Sequence, residues 1–185
     1  MKQLNINNKI IAALMTCAMC LCGPVTAQRS GEVDVDQLKV AFVYNFSKYF
    51  SWPQDGKWLE VETFNICVDD ANVANGQFKT LTGQSVQERT IRLVDLSQDD
   101  VDIGTSCHIW FVDRANYRSD LKRLEGVYGN SVLTIGEHPG FVSQGGIVEL
   151  VLVDNRLRFK IDADLAEREQ LAVSSRLMSL AIQED

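Results

Sequence analysis

Cys107-His108-Ile109-Trp110-Phe111-Val112-Asp113 is a nearly continuous apolar run of strand length that closes on an acid. A strand apolar on both faces belongs in the middle of a sheet covered on both sides, as parallel strands of α/β domains are. Val132-Leu133-Thr134-Ile135 repeats the pattern, and Tyr117–Leu124 between them reads as a helix. Upstream, Phe64–Asp69 reads as a strand, Ala74–Leu81 as a short helix, and Thr90–Leu96 alternates as a second strand. This order predicts a single α/β domain with a mixed, mostly parallel sheet flanked by helices. Downstream, Gly140–Gly146 is a loop. Ile147–Val153 and Arg156–Ile161 then flank the polar pair Asp154-Asn155, which predicts an antiparallel hairpin at the end of the sheet. Residues 162–183 read as a C-terminal helix, in one piece or two. Leu171 and Val173 fit a two-residue alternation as well as a helix, and Ser174 can cap a fresh final one.

At the front, Asp34-Val35-Asp36-Gln37 has the pattern of a capping box. Behind it Leu38, Ala41, Phe42, Asn45, Phe46, Tyr49 and Phe50 recur at three and four, an amphipathic helix that Pro53 stops. Tyr44, Phe46, Tyr49, Phe50 and Trp52 put five rings into nine positions. One helix stripe does not hide that many, so some are expected to face a partner or ligand.

Residues 1–27 read as a signal peptide. Lys2 and Lys9 charge its tip, Ile10–Cys22 is an apolar stretch too short for a membrane span, and Val25-Thr26-Ala27 places small residues for cleavage after Ala27. Cys20 and Cys22 follow residues too bulky for lipidation. The expected mature domain is 28–185, and losing Lys2 and Lys9 takes the formal net charge from −7 to −9. A net charge this negative, with a pI near 4.9, repels a phosphate backbone, which argues against nucleic acid as a partner. A hydrophobic content of 45% with only three prolines also excludes a disordered or fibrous chain.

Of five cysteines, Cys67 and Cys107 survive the cleavage, and in an exported protein such a pair reads as one disulfide. Two buried thiols or a redox couple remain as alternatives. Chemistry is otherwise sparse. Cys107-His108 raises a nucleophile, yet a catalytic cysteine needs a partly exposed thiolate. Cys, His and acids nowhere cluster with zinc spacing, and no phosphate loop, dinucleotide fingerprint or nucleophile elbow occurs. Gly136, Gly140, Gly145 and Gly146 could form an anion nest, although glycines in a loop before a hairpin are more often turn residues. Asp69-Asp70 ends a strand, where α/β domains place ligands, but a solvated turn accounts for it too. Asp162 and Asp164 suit the start of a helix. These residues support no enzyme, metal or cofactor.

Several stretches together resemble the YfiR-like family of small exported bacterial proteins. Leu38 to Pro53, with its Tyr44-Asn45-Phe46 and Trp52-Pro53, is the most specific. Phe64-Asn65-Ile66-Cys67-Val68, Cys107 to Val112, Val132 to Gly136, Gly140-Phe141 and Gly145-Gly146-Ile147 follow in order. Arg158 to Asp162 and Leu171 to Met178 complete the pattern, which spans residues 36–181. The resemblance implies an α/β fold and a periplasmic repressor. Such a protein binds the sensor domain of an inner-membrane diguanylate cyclase, lowers cyclic-di-GMP synthesis and so restrains biofilm formation. It further implies an outer-membrane lipoprotein as a sequestering partner. Cys67 and Cys107 match a cysteine pair of the family. The best-known repressor carries a second, later pair, whereas this chain has no cysteine after Cys107.

Three functions follow as expectations: a regulator acting through protein contacts, a periplasmic small-molecule-binding domain feeding a receptor, and an exported enzyme. For the first, Phe50, Trp52, Leu171 and Val173 are the expected contact residues, since Trp and Tyr dominate binding hot spots; core packing is the competing role for each. For the second, the glycine loop and the sheet edge near Asp69 would hold the ligand. The third lacks a base and a nucleophile. A homodimer is compatible with the sequence.

Overall fold

The computed structural model describes residues 34–182 apart from 55–57, 59, 60, 71, 99 and 116, so the expected leader and its cleavage point lie outside the described residues. Helix α1 (Val35–Tyr49) starts where the acidic cap predicts, the Asp34 carboxylate accepting from the Asp36 amide at 3.0 Å. It buries Val40, Val43 and Phe46. It ends at Tyr49, before Pro53, because the chain turns into a two-residue strand, β1 (Phe50–Ser51).

The main sheet contains β2 (Thr63–Val68), β3 (Ser85–Val86), β4 (Arg89–Asp95), β5 (Ile109–Val112), β6 (Leu133–Gly136), β7 (Val148–Val153) and β8 (Arg156–Ile161). Its spatial order is β3-β4-β2-β5-β6-β7-β8. The five inner strands β4, β2, β5, β6 and β7 run parallel, and β3 and β8 pair antiparallel at the edges. The α/β fold with its closing hairpin is thus as expected. At the β7–β8 turn Asp154 and Asn155 both take positive φ, 47° and 59°, which a two-residue hairpin with the right twist requires.

Alternation along the strands divides the interior into two cores. Phe64, Ile66, Ile109, Phe111, Leu133 and Ile135 face the one covered by α1. Cys67, Trp110 and Val112 face the other, which includes Ile103 of α2 (Ile103–Ser106) and Tyr117 and Leu124 of α3 (Tyr117–Leu124). From β2 the chain passes to β4 on one side, then returns to β5 on the other. The carboxyl ends of β2 and β5 therefore flank the point where the winding reverses, the usual ligand crevice of such sheets.

The tail resolves into two short helices and a strand. These are α4 (Ala163–Arg168), β9 (Ala172–Val173) and α5 (Ser175–Met178), with Ser174 capping α5 through the Leu177 amide at 3.2 Å. β9 pairs antiparallel with β1, Phe50 opposite Val173. The expected helix at 74–81 is instead a 3-10 segment, Val73–Leu81, broken where Ala74, Asn75 and Gly76 adopt left-handed backbone. β3 and α2, of two and four residues, are too short to show any period in sequence.

Candidate functional site

The four residues expected to meet a partner come together in space, but mostly inside. Phe50, Trp52 and Leu171 are buried, and Val173 is half-buried. For the first three this favours the competing role of core packing, since a side chain enclosed by its own fold offers little area to another protein. The β1–β9 pairing draws them in. Phe50 stacks edge-on with Phe46, and Trp52 with Phe64 at a centroid distance of 4.9 Å.

What faces outward at this corner is a shallow apolar groove of about 270 Å³ between α1, β8 and the tail. Phe42, Tyr49, Phe159, Leu177 and Leu180 line it, and Arg176 stands among them. Phe159 is the hinge of the arrangement, packing against Phe42 at 5.7 Å and Phe46 at 5.1 Å. The Ile182 amide donates to the Phe159 carbonyl at 2.8 Å, which ties the tail to β8. Leu180 is 60% exposed and Leu152, at the hairpin tip, 57%. Leu180 lies in the apolar stretch Leu177-Met178-Ser179-Leu180-Ala181-Ile182, whose local pattern does not say which of its side chains faces outward.

Cys67 and Cys107 are joined, with Cα atoms 5.8 Å apart, and tie β2 to the residue leading into β5. Both are fully buried. The sulfur of Cys107 is therefore no nucleophile. His108 is enclosed as well, its ring 4.0 Å from Trp58 and 4.5 Å from Phe64 between centroids. Its Nδ1 accepts from the Asn65 amide at 3.0 Å, so in the neutral ring the proton sits on Nε2.

At the carboxyl end of β2, Arg123 Nη1 lies 3.1 Å from both Asp69 and Asp120. Burial and then the neighbouring Asp120 push the Asp69 carboxyl up to about 8. Asp69 Oδ2 and Asp120 Oδ2 are buried without a donor, and a proton on Asp69 supplies one. The Arg123 guanidinium lies over the Trp110 ring. Asp70 instead closes a turn, accepting from the Asn72 amide, and Asp162 caps α4 through the Leu165 amide. The glycine loop offers no vacant nest. Buried Glu149 already takes the Gly140 and Val142 amides at 3.1 and 3.3 Å, while the backbone of Gly136 and Gly146 lies against the Phe141 ring. Among the described residues no three His, Cys, Asp or Glu side chains are grouped to hold a metal ion, and no helix is long and apolar enough to cross a membrane.

Among solved structures the chain is similar to a conserved domain protein from Vibrio cholerae O1 biovar El Tor, at 8% identity and a TM-score of 0.49. The match covers 79% of this chain and 58% of that one, so the chain spans less than two thirds of that protein's length. No curated protein matches it significantly. The model of the YfiR/HmsC-like family matches residues 36–182, which takes in α1, the whole sheet and the tail. The chain belongs to the YfiR/HmsC-like family.

Proposed function

We propose that this chain is a periplasmic negative regulator that binds the sensor domain of an inner-membrane diguanylate cyclase and lowers cyclic-di-GMP synthesis. The family is regulatory and non-catalytic, is periplasmic, and acts with membrane diguanylate cyclases. The leader at 1–27, with cleavage after Ala27, would deliver the chain to that compartment. The observation that carries the reading is the aromatic-lined groove beside α1 with Leu180 standing open at its rim.

Holding a two-state cyclase off requires tighter binding to its inactive form, and a 100-fold preference amounts to about 2.7 kcal/mol. Fully burying one leucine contributes roughly 1.5–3 kcal/mol, so Leu180 and a neighbouring ring suffice. An outer-membrane lipoprotein competing for the same groove would release the cyclase. Deleting the gene and restoring it with an exported copy tests the proposal. Cyclic-di-GMP should rise on deletion and fall on restoration, while an unchanged level in cells expressing the cyclases would refute it.

A further inference from the structure

A second cavity, of about 640 Å³, opens where β5 and β6 end and α3 begins. Arg114, Tyr117, Arg118, Ser119 and His138 supply its polar lining, and no acidic side chain lines it among the described residues. On a chain of net charge −7 that is an unusual concentration of positive charge. Neither arginine is neutralised among the described residues. Arg118 is exposed and carries no ion pair. Among the described residues the Arg114 side chain donates to the Glu137 backbone carbonyl, at 3.4 Å. The Glu137 carboxylate nearby accepts from the Arg114 amide and is paired with Lys39 at 2.6 Å, a cation it shares with Asp36. Asp120, on the same helix, is buried and bound to Arg123.

Two contacts order the cavity wall. His138 stacks on Tyr117 with centroids 3.5 Å apart and planes within 2°, and its Nδ1 donates to the Pro139 carbonyl at 2.8 Å. That leaves Nε2 as the second polar atom of the ring. The first-turn amides of α3 add partial positive charge at the same end. The volume falls in the range of small-molecule sites, and guanidinium groups suit planar or tetrahedral oxyanions because they bind them bidentately.

We propose that this cavity binds the oxyanion group of a small periplasmic solute, either a phosphate ester or a carboxylate, with Arg114 and Arg118 as its paired ligands. The proposal is independent of the cyclase reading, because it concerns the opposite core's side of the sheet and is read out on the isolated protein.

The test is calorimetric titration of the full exported chain with inorganic phosphate, adenosine monophosphate and succinate, at constant ionic strength set with chloride. At least one of the three should bind saturably. Arg118→Gln should weaken that binding roughly tenfold, and Arg114→Gln with Arg118→Gln should abolish it. Glutamine keeps an amide donor for the Glu137 carbonyl, and circular dichroism checks that the variants fold. Arg156→Gln, on the distant hairpin, should bind as the natural chain does. Phosphate and the nucleotide binding without succinate would assign a phosphate site, and the reverse a carboxylate site. No saturable binding to any of the three, or equal binding by the folded double variant, would overturn the proposal.

Discussion

Trp52 packs edge-on against Phe64 and stands 6.0 Å from the His108 ring, with 3% of its surface exposed. Trp52→Ala removes a large buried ring, so the expected loss of stability is about 3–5 kcal/mol, measured by urea denaturation. Trp52→Phe should keep most of it. A Trp52→Ala protein that melts normally would place this residue at a surface. Asp69 makes a different demand. Its carboxyl binds a proton more tightly in the folded chain than in the unfolded one, where it titrates near 3.8. Its contribution to stability is therefore complete below about 4 and is lost as pH rises through about 8. Asp69→Asn should remove that decline, so the variant's melting temperature relative to the natural chain rises steadily between pH 4 and pH 8. A difference that stays flat across this window would contradict the assignment.

At the scale of elements, the disulfide ties β2 to the segment leading into β5, across a separation of 40 residues that includes β3, β4 and α2. Replacing Cys67 and Cys107 together with alanine should cost roughly 2–5 kcal/mol of unfolding free energy. Unchanged stability on urea titration would mean that the cross-link does not constrain the unfolded chain. The elements legible in sequence were those with a strong local cause. Continuous apolar runs gave β5 and β6, Asp154-Asn155 gave the hairpin, and α3 showed its full extent. β3 escaped notice because Gln87 and Glu88 make its turn with positive φ and no glycine or asparagine marks it. The site was legible only in part. The surplus of rings around Phe50 and Trp52 marks the corner that carries the apolar groove, but local pattern carries no information on which rings a distant strand covers. β9 pairs with β1 and encloses Phe50, leaving Phe42, Tyr49 and Leu180 to face outward.

For the whole molecule, the sheet separates two regions. The groove of α1, β8 and the tail lies with the core that contains Phe46 and Phe159. The carboxyl pair at Asp69 and the arginine-lined cavity lie at the strand ends beside α3. The proposed repression through the groove invokes neither of the latter, so the two proposals can be tested apart. Leu180 is exposed, and Leu180→Asp should change stability by no more than about 0.5 kcal/mol while placing a charge where a partner must bury an apolar surface. The most direct measurement is cyclic-di-GMP in cells lacking this chain, restored from the periplasm with either the natural protein or Leu180→Asp at matched abundance. The account predicts that deletion raises the messenger, that the natural protein lowers it again, and that Leu180→Asp leaves it high. Full restoration by Leu180→Asp would contradict the groove as the contact surface, and no rise on deletion would contradict repression itself.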